Sequence, residues 1–270
     1  MNAEARTVLI TGSTSGLGRE LVLCLAADGW AVLAHGRDRK RLDDLCREAG
    51  PAVRPLVADL ASLDEVVRLA AQAAAATDRL DVLVNNAAVG FGAPGHGRQT
   101  SVDGHELRMA VNYLAPVLLT RRLVPLLTAS APARVVNVGS VGQISFDPHD
   151  VAFERGYDGI TAYRRSKLAL SAFTFDLADE LPARAVTVNC LHPASLMPTA
   201  MVLESRMAPM SELDEGVVAT LRLITDPDLA DVTGEYFDGL RPGRSRPEAY
   251  DPDFRSKLRA VTAGLLADYL

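Results

Sequence analysis

The chain has 270 residues, 48% of them apolar and 23% charged, an ordinary composition for a globular protein with a sizeable core. Its net charge of -6 argues against nucleic acid or an acidic membrane surface as the main partner. Cys24, Cys46 and Cys190 lack C-x-x-C spacing, so neither a disulfide framework nor a metal site is expected. No run reads as a signal peptide or reaches the roughly 18 apolar residues of a membrane span, and a reducing, cytoplasmic setting is the expectation.

The first strand-like run, Thr7 to Thr11, passes through Gly12-Ser13-Thr14-Ser15-Gly16-Leu17-Gly18 into a helical period over 18–28. Glycines let backbone approach a pyrophosphate, and a helix N-terminus supplies free N–H groups with a favourable dipole. The alternative is a tight strand-to-helix turn. A second strand, Ala31 to His35, ends in His35-Gly36-Arg37. No acid stands at this tip to bind ribose hydroxyls, as an NAD site prefers; Arg37 can hold a 2′-phosphate instead, so NADP(H) is expected over NAD(H). Asp38 reads as the N-cap of a helix over 39–49. A third strand, Val53 to Val57, leads to Asp59-Leu60, and Ser62 with Glu65 opens a helix over 62–77 as a capping box.

The fourth strand, Val82 to Asn85, continues into Asn86-Ala87-Ala88 and a loop over 88–101 that holds Gly90, Gly92, Pro94, Gly95 and Gly97. A helical stretch over 102–129 follows. Within it Pro116 lacks the N–H that would bond the Asn112 carbonyl, which predicts a kink and a carbonyl open to another partner such as water. The fifth strand, Arg134 to Gly139, places Ser140 at a carboxyl edge where doubly wound sheets bind ligands; an ordinary turn serine is the alternative.

After an insert from Ser145 to Ile160 comes a helix over 160–181 carrying Tyr163 and Lys167 on one face. The insert holds Asp147, His149, Asp150, Glu154 and Arg155 at irregular spacing, as a solvated loop would. An ammonium beside a phenol lowers the tyrosine pKa and suits it to proton transfer; a solvated surface pair is the alternative. A sixth strand, Val186 to Leu191, a helix over 211–225 and a seventh strand, Glu235 to Phe237, complete the pattern. Alternating apolar strands and helices describe one α/β domain over 1–270, a doubly wound parallel sheet of about seven strands with helices on both faces.

Taken together, Thr11-Gly-x-x-x-Gly-x-Gly18, Asp59-Leu60, Asn85-Asn86-Ala87-Ala88, Asn112, Ser140 and Tyr163-x-x-x-Lys167 resemble the short-chain dehydrogenases/reductases over nearly the whole chain. That resemblance implies a Rossmann-like fold and hydride transfer between a nicotinamide and a carbonyl or alcohol. It implies that Tyr163 protonates the substrate oxygen, that Ser140 hydrogen-bonds it, and that Lys167 tunes Tyr163 and holds the nicotinamide ribose. Asn112 would hold a proton-relay water. Asp59 would contact the adenine, with Leu60 beside it, and Asn86, Ala87 and Ala88 would close the strand end under the cofactor. Pro193 and Leu196 would lie near the nicotinamide. The helices over 102–129 and 160–181 would form a homodimer or homotetramer.

Residues 194–215 fall where the family carries a substrate lid. Met197, Met201, Met207 and Met210 in it suggest a small-molecule substrate that is apolar or bulky, since methionine adapts to irregular apolar shapes. Pro193-Ala194 stands where the family usually has Pro-Gly, with one extra residue before Thr199, whose cofactor contact is left open. The 23 positions between Ser140 and Tyr163, with Gly234-Glu235-Tyr236-Phe237, resemble the retinol-dehydrogenase-like branch. Two other readings use the same motifs. Nucleotide-sugar epimerases and dehydratases favour a Gly-x-x-Gly-x-x-Gly spacing that this chain lacks. A non-catalytic NADP-sensing module commonly loses the tyrosine or lysine, and both are kept here.

Overall fold

Successive side chains of a strand point to opposite faces, and here both directions meet apolar layers. In β1 (Thr7–Ile10), Leu9 enters one core while Val8 and Ile10 enter the other. The computed structural model describes residues 5–93, 95, 97–182 and 185–270. Pro94 of the glycine-rich loop lies outside them. The alternation continues through β2 (Ala31–Gly36), β3 (Val53–Val57), β4 (Val82–Asn85), β5 (Ala133–Val138), β6 (Val186–His192) and β7 (Tyr236–Asp238). These strands run parallel in the order β3-β2-β1-β4-β5-β6-β7. The order reverses between β1 and β4, which is where such sheets open a ligand crevice.

The sheet has eight strands rather than about seven. The added one, β8 (Arg241–Pro242), pairs antiparallel with β7 at the edge. Two residues carry no periodicity to read, and a proline is tolerated there because an edge strand need not donate on its outer side.

In chain order the α-helices of the described residues are α1 (Gly16–Ala27), α2 (Arg39–Ala49), α3 (Leu63–Ala76), α4 (Leu107–Met109), α5 (Ala115–Ala129), α6 (Gly159–Glu180), α7 (Ala200–Glu204), α8 (Leu213–Thr225) and α9 (Pro252–Leu265). Leu21 of α1, Leu42 of α2 and Leu223 of α8 pack on one face of the sheet; Leu69 of α3, Leu118 of α5 and Leu170 of α6 pack on the other. Asp38 caps α2 by accepting from the Arg41 N–H at 3.1 Å. Ser62 caps α3, but the Glu65 carboxylate turns to the Asp59 N–H at 2.6 Å instead of closing the box. No helix of the described residues is long and apolar enough to cross a membrane.

The run 102–129 is not one helix. It starts at α4 with Glu106 as its cap, widens into a π turn at Ala110–Leu114, and resumes as α5. A π turn next to Pro116 is how this helix accommodates the missing N–H: the backbone widens rather than breaks. Helix α9 has no counterpart in the sequence reading, although Asp251 caps it and Pro252 sits at its first position, both start signals. It lies against α6 and the π turn before α5, parts of the two stretches that the family resemblance assigns to oligomer contacts. Tyr113 and Thr262 share a hydrogen bond of 2.7 Å there, and Arg255 and Arg259 pair with Asp176 at 3.2 and 3.0 Å.

Candidate active site

Every strand end that faces the crevice delivers part of one site. After β1 the chain turns at Gly12, whose φ of 71° favours glycine, and a Cβ there would stand 2.8 Å from the Ala87 Cα. The loop is fastened from below. Thr11 Oγ1 accepts from the N–H groups of Asn86 and Ala87, both at 3.0 Å, and the Asn86 amide donates to the carbonyls of Thr11 and Gly12 at 2.8 and 3.2 Å. Ser13 is fully buried; its N–H donates to the His35 carbonyl and its hydroxyl to the Ile10 carbonyl. Above them the N–H groups of Thr14, Ser15, Gly16, Leu17 and Gly18 have no acceptor among the described residues, and no side chain caps α1. Unpartnered N–H groups at a helix N-terminus form an anion cradle. The residues fit a dinucleotide pyrophosphate.

His35 is a part of this site that sequence reasoning missed. Its Nδ1 accepts from the Gly12 N–H at 3.3 Å and its Nε2 faces the Ala58 carbonyl at 3.0 Å, which places the ring proton on Nε2. Burial pushes its pKa down to about 4, so the ring is neutral and braces the glycine turn. The one signal for it was a histidine directly before Gly36, which gives no hint that the ring turns inward.

At the tip of β2 Gly36 packs on Thr14, and Arg37 is exposed and enters no ion pair among the described residues. Asp38 is engaged with Arg41 at 3.6 Å and with its cap. Beyond β3, Asp59 Oδ1 accepts from the Ala61 N–H at 2.9 Å, while Leu60 is buried. Ala87 and Ala88 are half-buried past β4. Pro193, buried past β6, packs against Gly216, and Leu196 takes a φ of 44° in the same turn. Thr199 reaches the cradle after all, its Cγ2 lying 3.1 Å from where a Gly16 Cβ would be.

Ser140 and Tyr163 meet at the carboxyl end of β5, the serine hydroxyl near enough to act on the phenol. Ser140 Oγ also accepts from the Gly142 N–H at 3.0 Å, and its carbonyl accepts from Gln143 Nε2 at 2.8 Å. Asn112, in the π turn, donates to the Val89 carbonyl and to Ser166 Oγ at 3.0 Å each and accepts from the Val89 N–H at 2.7 Å. Ser166 donates onward to the Tyr163 carbonyl at 2.7 Å. The four residues Asn112, Ser140, Tyr163 and Lys167 are all buried and contiguous.

Burial dominates their electrostatics. Lys167 lies with its Nζ 5.7 Å from the Tyr163 ring centre and donates to the Val138 carbonyl at 2.8 Å. Burial raises the Tyr163 pKa above its ordinary value, and the neighbouring Ser140 hydroxyl opposes this. Burial likewise brings Lys167 down to about 8. The reason is common to both. Each charged form is removed from water, and that desolvation is the largest influence on both.

The rim is apolar. Phe91 presses edge-on against the Tyr163 ring with centroids 4.7 Å apart at 73°. Met201 of α7 packs on Gly90, and Met197 on Gly216. Val141, Ile160, Leu203, Met207 and Met210 are exposed around them. Among the described residues no three His, Cys, Asp or Glu side chains gather as a metal would need.

The comparisons agree with this geometry. The family model of the short chain dehydrogenases matches residues 6–209, and the chain belongs to that family. Retinol dehydrogenase 13 of Mus musculus is 33% identical over 283 residues, covering 97% of this chain and 84% of its own. The match places the chain with the retinol-dehydrogenase-like branch. Among solved structures, a protein from Mycobacterium paratuberculosis superposes with a TM-score of 0.79 at 28% identity, covering 97% and 93% of the two chains. The RhlG/NADP active-site complex of Pseudomonas aeruginosa superposes with a TM-score of 0.71 at 29% identity, covering 87% and 95%. The protein is thus an oxidoreductase of a family that binds nicotinamide cofactors.

Proposed function

We propose that the chain interconverts an apolar, bulky alcohol and its carbonyl form using NADP(H), with a retinoid as the apt probe substrate. The observation that carries this is the convergence of Ser140, Tyr163 and Lys167 beside an N–H cradle without acceptors, and an Arg37 without an ion pair, among the described residues, under a rim of phenylalanine and methionines. The names of the retinol dehydrogenase relatives support the choice of probe.

The N–H groups of Thr14 to Gly18 would hold the pyrophosphate and Arg37 the 2′-phosphate, with Asp59 and Leu60 towards the adenine. Ala87, Ala88, Pro193 and Leu196 would shape the nicotinamide end, and Lys167 would donate to its ribose hydroxyls. A nicotinamide held there would be the hydride donor in reduction and the acceptor in oxidation. Ser140 donates a hydrogen bond to the substrate oxygen as negative charge builds there, and Tyr163 gives that oxygen its proton. The phenolate so formed is buried beside the Lys167 ammonium, which favours it electrostatically by about 1.36 kcal/mol for each unit by which the phenol pKa falls. Reprotonation would run through Lys167 to a water held by the Asn112 carbonyl, which residue 116, being proline, cannot engage. Residues 194–215, with α7 at their centre, act as the substrate lid.

Initial rates with NADPH and with NADH, each against retinal and against acetone, test the reading. Preference for NADPH and retinal is expected. Preference for NADH would remove the cofactor assignment, and preference for acetone would remove the substrate class.

A further inference from the structure

The segment Val89–Phe91 is held at three consecutive residues by three different devices. Val89 is clamped at both its N–H and its carbonyl by Asn112. The Gly90 carbonyl accepts from Arg108 Nε at 2.9 Å. Phe91 lies edge-on against the Tyr163 ring. The carbonyl of Phe91 stands so close to Gly159, the first residue of α6, that no Cβ fits between them.

Arg108 is the centre of this arrangement and one of the largest fully buried side chains in the protein, at 1% exposure. Its NH1 donates to Tyr157 Oη at 2.8 Å and approaches Glu106 Oε1 and Gln99 Oε1 at 3.4 Å each. Tyr157 Oη donates in turn to Glu106 Oε1 at 3.1 Å, and Glu106 Oε2 caps α4 through the Met109 N–H at 2.8 Å. Burial and the adjacent Glu106 push the Tyr157 phenol up to about 12, so it stays protonated and can donate. Tyr157 comes from the long insert before α6, and a second tie, Arg98 Nε to the Ala152 carbonyl at 2.9 Å, joins that insert to the glycine-rich loop. A buried ion pair is weak evidence for stability, because desolving two charges offsets their attraction. Its use here is geometric: it fixes one carbonyl of one loop.

We propose that the buried Arg108–Glu106–Tyr157 cluster is a positioning device that holds Val89–Phe91 as a preformed wall over Tyr163, with Phe91 the side chain that selects apolar substrates. This rests on the proposed function above. Arg108, Glu106 and Tyr157 act through the loop and touch no reacting atom. Phe91 faces the space above Tyr163, keeps water from its ring, and offers an aromatic edge to whatever enters. The groups around Tyr163 from the packed elements are Ser140 after β5, Lys167 on α6 and the Tyr236 hydroxyl on β7, so the wall side contributes no charge. The insert thereby gains a purpose that its scattered acids and its histidine do not suggest.

Removing Arg108 would strand Glu106 as an unpaired buried carboxylate and risks unfolding, so the informative variants are Tyr157→Phe and Phe91→Ala in the full chain. Two readouts are combined: steady-state kinetics with NADPH on retinal and on propanal, and amide hydrogen exchange over residues 88–93. For Tyr157→Phe, kcat is expected to fall about tenfold, as for a misplaced catalytic wall, with the NADPH KM within about twofold of wild type. Exchange over 88–93 is expected to quicken about tenfold, which corresponds to about 1.4 kcal/mol of local stability. Phe91→Ala is expected to reduce the retinal-to-propanal ratio of kcat/KM at least about tenfold, the scale of a lost apolar pocket contact. Wild-type kcat and exchange in Tyr157→Phe, or an unchanged substrate ratio in Phe91→Ala, would overturn the proposal. If the wild type turns over neither aldehyde, the proposed carbonyl-reducing function fails, and the exchange rates still decide whether the cluster positions the loop.

Discussion

Replacing Arg37 with alanine isolates the group proposed to tell NADPH from NADH. The guanidinium is exposed at the end of β2, it enters no ion pair among the described residues, and its neighbour Asp38 is held by the α2 cap and by Arg41. A charge-assisted hydrogen bond to a phosphate is worth about 1.5–3 kcal/mol, and solvent screening at an exposed site trims this to roughly 1–2 kcal/mol. At about 1.4 kcal/mol per decade, Arg37→Ala is expected to weaken NADPH binding about 5- to 30-fold. NADH, without the 2′-phosphate, is expected to change by less than about twofold, since the substitution removes only a screened surface charge from its site. Titrating both cofactors by fluorescence at two salt concentrations gives the ratio and its screening. Equal weakening of both cofactors, or no weakening of either, would refute the reasoning, because then Arg37 is not reading the 2′-phosphate.

Two further outcomes follow from the buried ionisable groups. Lys167, with its pKa brought down to about 8, carries its ammonium below that pH and loses it above, so NADPH affinity is expected to fall as the pH rises through about 8. Kd measured across that range should show the step in the wild type and none in Lys167→Met; a flat wild-type profile contradicts the proposed ribose contact. His35 has a folded pKa of about 4 against an ordinary value of about 6.5. Above the upper value neither folded nor unfolded chain binds the proton; as the pH falls from about 6.5 to about 4 only the unfolded chain does, so up to about 3 kcal/mol of stability is lost. Urea unfolding of the wild type should lose that stability over this range more steeply than His35→Gln, and parallel curves would mean that the ring does not titrate as its burial requires.

Much of the architecture was legible because its signals are local and periodic. The helix over 39–49 coincides with α2, with Asp38 as its cap, and the strand runs lie within a residue or so of β1 to β7. Pro116 announced a disturbance next to Asn112, and it takes the form of a π turn. Other features depend on distances that spacing cannot supply. Four residues between Tyr163 and Lys167 specify a shared helix face, but not that Lys167 turns to the Val138 carbonyl in a buried place where desolvation raises the tyrosine pKa. The contact of Thr199 with the cradle could not be counted across an irregular turn. Arg108 meets Tyr157 and Gly90 across 49 and 18 positions, so nothing in its neighbourhood marked it as the hub of a buried cluster. Helix α9 carries its own start signals in the Asp251 cap and Pro252, so it was legible as well, although the sequence pattern above ends at the seventh strand.

The central claim is that Tyr163 supplies the proton for carbonyl reduction, and one measurement bears on it most directly. NADPH oxidation at 340 nm with retinal is followed for the wild type and for Tyr163→Phe, alongside NADPH binding to both proteins. The Tyr163→Phe protein should bind NADPH within about twofold of the wild type and lose turnover by at least about a hundredfold, the lower range for removing a general acid. Unchanged turnover in Tyr163→Phe would contradict the account.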